Sequence, residues 1–100
     1  MRKFETLLLL SPELAGDARE AQLASLISVI EREQGVIDTV DHWGMRDLAY
    51  PVRKHMRGYY VRLEYTAPGT AVAELERIIR IADDVYKFVT VKLGDAEEVA

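Results

Sequence analysis

Cysteine is absent from the 100 residues of this chain. That absence excludes disulfides, thiolate metal sites and a cysteine nucleophile, and it fits a reducing cytoplasm. Long apolar runs are missing as well. The opening Met1-Arg2-Lys3-Phe4, followed by Leu7 to Leu10, imitates a secretory signal. Ser11-Pro12-Glu13 stops the run, short of the roughly 7–15 residues a signal core needs. Nothing approaches the ~20 apolar residues of a membrane span, so a cytoplasmic protein is expected. Neither a Walker loop nor a G-x-G-x-x-G turn occurs, which removes the usual backbone cradles for nucleotide phosphates. Surplus positive charge is lacking too: 13 Lys and Arg face 17 Asp and Glu, for a net charge of −4. Any affinity for a polyanion must therefore be local. With 49% hydrophobic and 30% charged residues, the composition is that of one ordinary globular domain.

One stretch departs from the acidic average. Met45 to Tyr60, MRDLAYPVRKHMRGYY, crowds Arg46, Arg53, Lys54 and Arg57 around Tyr50, Tyr59 and Tyr60 against a single acid, Asp47. Extension to Arg62 gives five basic side chains and a local charge of +4. Cations interleaved with aromatics suit a polyphosphate that carries stackable bases. A solvated loop also collects Lys and Arg, but solubility does not require the planar faces of the tyrosines.

The order of elements follows from periodicity. Phe4 to Leu10 reads as a buried strand. Asp17 and Glu20 resemble a capping box, and Leu23, Leu26, Ile27 and Ile30 trace the stripe of an amphipathic helix. Gly35 is placed to end that helix in the left-handed conformation. Val36 to Val52 is rich in β-formers, and Tyr59, Val61, Leu63 and Tyr65 alternate with polar residues. Pro68-Gly69 is a turn with Thr70 as N-cap, and Ala71, Leu75, Ile78, Ile79 and Ala82 mark a second helix broken by Asp83-Asp84. Val85 to Leu93 is a last strand. Residues 1–94 form the domain and 95–100 a short acidic tail.

This β-α-β-β-α-β order, with right-handed crossovers, is the α+β ferredoxin-like fold: a four-stranded antiparallel sheet with two helices on one face. The fold's strand order, 4-1-3-2, puts the second strand on an edge, where Pro51 is tolerated. Arg53 to Arg57 falls at the tip of the hairpin between the second and third strands. Arg2, Lys3, Lys87 and Lys92, on the first and last strands, widen the basic surface.

Other chemistries find less support. His42 and His55 have no obvious serine partner. Asp38, Asp41 and His42 suggest a weak metal cluster, but on a regular strand positions 38 and 41 point to opposite faces. A polar strand surface is expected there, with no metal and no cofactor. Arg57-Gly58-Tyr59-Tyr60-Val61 begins like the RNP1 signature of RNA-recognition motifs, yet Tyr60 fills a Gly/Ala position and Val61 falls where the stacking aromatic belongs. The Gly-rich phosphate loop of acylphosphatases, which share the topology, is absent after the first strand, so an enzyme is not expected. A regulatory domain of the ACT type and a generic single-strand RNA binder are the remaining alternatives.

Gly44-Met45-Arg46-Asp47-Leu48-Ala49-Tyr50-Pro51-Val52 resembles the G-x-R-x-L-A-Y-P-I segment of the bacterial small-subunit ribosomal protein six family. The likeness continues through Lys54, Gly58-Tyr59 and the final Val91-Lys92, and so covers the whole chain. Val52 replaces the usual isoleucine, and Asp47 lowers the local positive charge. The resemblance implies a structural constituent of the small ribosomal subunit that binds the central domain of 16S ribosomal RNA together with small-subunit ribosomal protein eighteen, a small basic protein. Arg2, Lys3, Arg46, Arg53, Lys54, Arg57 and Lys92 are then the expected phosphate contacts, with Leu48, Tyr50, Pro51 and Val52 shaping the strand or meeting the protein partner.

Overall fold

The alternation from Tyr59 onward builds a strand with one dry face. In the computed structural model, which describes residues 1–95, Val61, Leu63, Tyr65 and Ala67 are fully buried. The elements follow as β1 (Arg2–Leu10), α1 (Gly16–Arg32), β2 (Val36–Val52), β3 (His55–Ala67), α2 (Gly69–Ile81) and β4 (Val85–Asp95). They form one four-stranded sheet in the order β2-β3-β1-β4, antiparallel throughout, which is the expected order read from the other side. Pro51 lies on the edge strand. β4 continues past Leu93 to Asp95, and the rest of the expected acidic tail lies outside the described residues.

Both helices cover one face. Phe4, Leu8, Leu10, Val61, Leu63 and Tyr65 from the sheet pack with Leu23, Leu26 and Ile30 of α1 and with Leu75 and Ile79 of α2. The phenol of Tyr65 is buried in that core, and a buried hydroxyl needs a partner. Thr6 Oγ1 supplies one at 2.9 Å and is itself bonded to Thr90 Oγ1 at 3.0 Å. Among the described residues no helix is long and apolar enough to cross a membrane.

The helix ends differ from the sequence reading. α1 starts after Ala15 and α2 after Pro68, and neither N-cap carries a side-chain hydrogen bond. Asp17 sits inside the first turn, where its charge suits the positive end of the helix dipole, and Thr70 is likewise one residue inside α2. At the C-terminus of α1 the left-handed residue is Gln34 (φ 74°), not Gly35. The amides of Gln34 and Gly35 bond back to the carbonyls of Glu31 and Ile30, the paired bonds of a Schellman cap. Gly35 is required for another reason: a Cβ there would lie 2.7 Å from Ile30 Cγ2 and 2.9 Å from the Ala67 Cβ.

Candidate nucleic-acid interface

β2 is interrupted three times, at Asp38, at Trp43 and across Leu48–Pro51, where its register against β3 shifts. Each extra residue bends the strand and re-aims its neighbours. The first irregularity overturns the expectation that Asp38 and Asp41 face opposite ways. Asp38 accepts from the Thr66 hydroxyl at 2.7 Å and lies 3.8 Å from Lys3 Nζ, while Asp41 pairs with Arg62 at 3.0 Å. Both carboxylates therefore stand on the sheet face away from the helices. Among the described residues no group of His, Cys, Asp and Glu is placed to hold a metal ion.

Arg62 does not extend the basic patch. Its guanidinium bonds Glu5 and Glu64 as well as Asp41, and these contacts, led by Glu5, hold its pKa above the ordinary arginine value. Lys3 joins the same network, 3.3 Å from Glu64. The carboxyl of Glu64 is held below the ordinary glutamate value, first by Arg62 and then by Lys3. Arg62 and Lys3 thus stand among Glu5, Asp38, Asp41 and Glu64, and this half of the open face is net negative. Toward β4 the same face turns apolar. Leu7, Leu9, Tyr60, Lys87 and Val89 line a cavity of about 150 Å³, and Val89 and Val91 are half exposed.

The third irregularity builds the hairpin tip. Asp47 stands opposite Arg57 and Val52 opposite His55, so Leu48, Ala49, Tyr50 and Pro51 together oppose the single residue Met56. Beyond this bulge the chain turns through Arg53 (φ 49°) and Lys54 (φ 69°), the two left-handed positions of a type I′ hairpin turn. Such turns favour Asn-Gly, and a side chain with a Cβ costs on the order of 1–2 kcal/mol at each position. Val52 is buried beneath the tip, Leu48 is half buried, and Tyr50 and Pro51 are exposed. Tyr50 reaches the opposite edge strand: its hydroxyl accepts from Lys87 Nζ at 2.8 Å, with the ammonium 4.6 Å from the ring centroid. That bond and the lysine charge lower the Tyr50 pKa from its ordinary value.

The expected phosphate contacts fall into separate groups. Arg53 and Lys54 occupy the tip. Arg46, opposite Gly58, and Arg57, opposite Asp47, are adjacent register positions and so lie on opposite faces. Arg46 donates its Nε to the Trp43 carbonyl at 3.2 Å, and Arg57 pairs with Asp47 at 3.0 Å. Arg46, Arg53, Lys54 and Arg57 are all exposed. Arg2, Lys3 and Lys92 belong to the far end of β1 and β4, roughly 25 Å along the strand from Arg46 and roughly 35 Å from the turn at about 3.3 Å per strand residue. The sequence reading did not single out Tyr86. Arg53 lies 4.9 Å over its ring, His55 stacks on it at 5.9 Å with the planes 13° apart, and its hydroxyl donates to Ser11 Oγ at 3.1 Å.

The fold, the bulged Leu48–Pro51 segment and the basic hairpin agree with one family. Its model, ribosomal protein S6, matches residues 3–92. The chain belongs to the ribosomal protein S6 family. It is 80% identical over 101 residues to small ribosomal subunit protein bS6 of Nitratidesulfovibrio vulgaris, covering 100% of both chains. Against the protein of the same name from Clostridium novyi it is 44% identical over 91% of this chain and 96% of that one. The crystal structure of 30S ribosomal protein S6 from Thermotoga maritima superposes with a TM-score of 0.87 at 27% identity, over 91% of this chain and 86% of that one. Ribosomal protein S6 is a structural protein of the small subunit and not an enzyme; its place is the ribosome, in the cytoplasm.

Proposed function

We propose that this S6 protein binds the central domain of 16S ribosomal RNA together with small-subunit ribosomal protein eighteen, as a structural part of subunit assembly. The observation that carries this reading is the separation of charge over the molecule. Four exposed cations, Arg46, Arg53, Lys54 and Arg57, gather around the hairpin tip. The open sheet face is acidic on one half and apolar on the other. The first surface suits phosphate and the second suits a basic protein segment with apolar anchors.

Arg2 and Lys92, at the far end of the sheet, would make a contact separate from the tip. Lys3 already lies between Asp38 and Glu64, which compete with phosphate for its ammonium. Lys54→Glu or Arg46→Glu tests the tip. Each variant is expected to weaken RNA assembly and to lower the slope of log affinity against log salt by roughly one unit per lost contact. Unchanged affinity and slope in both variants would remove the tip from the RNA interface.

A further inference from the structure

Resting on the reading of the hairpin tip as an RNA contact, we propose that Tyr86 and Lys87, at the start of β4, are positioning residues that latch the tip in its strained conformation and so present Arg53 and Lys54 to phosphate.

The tip cannot hold itself. Past Asp47–Arg57 its only register pair is Val52–His55, so the bulge interrupts the ladder that would otherwise brace it. Both residues of the turn carry side chains at positive φ, a conformation that persists only where surrounding contacts enforce it. The contacts come from β4 and from the segment just after β1. The Tyr86 ring meets His55 and Arg53, and its hydroxyl is anchored to Ser11. His55 Nε2 lies 3.1 Å from Glu13, and Lys87 clasps Tyr50, in the middle of the bulge.

The chemistry of the latch suits its task. A guanidinium over an aromatic ring engages the ring through its flat face, which leaves its in-plane N–H groups for phosphate oxygens. Ordering Arg53 before RNA arrives also removes an entropy cost from binding.

The test uses the full-length protein. In Tyr86→Leu, amide hydrogen exchange at 53–56 is expected to rise by roughly tenfold or more while the amides of β1 and β3 keep their protection. RNA assembly beside the basic partner is expected to weaken several-fold with an unchanged salt slope, since no charge is lost. Tyr86→Phe, which keeps the ring, should restore most of the affinity, and Tyr50→Phe should act as a milder Tyr86→Leu. Unchanged exchange at the tip overturns the latch. So does unchanged RNA affinity in Tyr86→Leu when Arg53→Gln weakens binding. If the tip loosens but neither variant alters RNA binding, the RNA reading of the tip fails and the latch stands. A salt slope that falls by about one in Lys87→Met would make Lys87 a phosphate contact itself and overturn its positioning role.

Discussion

Asp41 on β2 and Arg62 on β3 stand directly opposite each other, and their side chains meet at 3.0 Å. Around this pair Glu5, Glu64, Lys3 and Asp38 form a continuous network on the open face. Arg62 is the cation that all but Asp38 of these carboxylates share. Arg62→Leu is expected to destabilise the fold by on the order of 1–2 kcal/mol, below the loss for a fully buried pair because water reaches the rim of the network. Urea unfolding measures it. Glu5→Leu in the same chain should recover part of the loss, since the two sites share one network.

Ionisation limits stability at both ends of the pH scale. Arg62 and Lys3 depress the folded-state pKa of Glu64, so its contribution is present at neutral pH and is lost as pH falls through that lowered value. Burial raises the pKa of Tyr65; its contribution is present below the ordinary tyrosine value and is lost as pH climbs above it. Thermal melts of Glu64→Gln should therefore show a flatter acid limb, and those of Tyr65→Phe a flatter alkaline limb. Unaltered limbs would show that other groups control them.

Gly58 is fixed by Leu9. A Cβ at position 58 would lie 2.2 Å from Leu9 Cδ1 and 3.3 Å from its Cγ. Gly58→Ala is expected to cost on the order of 1–2 kcal/mol, at the lower end of overpacking because Leu9 also lines the neighbouring cavity and has room to move. In a Leu9→Val background, which lacks the clashing Cδ1, the same substitution should cost less by denaturant unfolding.

Under the proposed function, the turn sets stability against binding. Replacing Arg53-Lys54 with Asn-Gly removes two cations and relieves positive φ at both sites. The double variant is expected to gain about 1 kcal/mol in stability, less than full relief of both positions because Asn keeps a Cβ and the Arg53–Tyr86 contact is lost. It should bind RNA more weakly, with a salt slope lower by roughly two. A variant that is both more stable and equally tight would remove any functional reason for charge in the turn.

Much of the architecture was legible because burial on one face leaves a period of two, as in Val61, Leu63, Tyr65 and Ala67. Helix caps were not: Asp17 and Thr70 are good cap residues that lie inside their helices, since a cap is decided by where the chain enters the core. The bulges at Asp38 and Leu48–Pro51 leave no compositional mark, and they decide which faces the acids occupy and how the tip is held. The basic hairpin was visible as a charge cluster. Its loss of Arg62 chiefly to Glu5 and Asp41, 57 and 21 residues distant in sequence, and its anchorage on Tyr86, depend on partners brought in from other strands. No local pattern carries that information.

Under the proposed function, a chain of net charge −4 works on RNA through a local cationic tip while its acidic and apolar sheet face meets a basic protein. The most direct measurement is the affinity of the purified protein for a central-domain 16S ribosomal RNA fragment, with and without small-subunit ribosomal protein eighteen. Weak binding alone and much tighter binding beside the partner are predicted, because the partner neutralises the acidic surface. Equally tight binding to the RNA in the partner's absence would contradict the account.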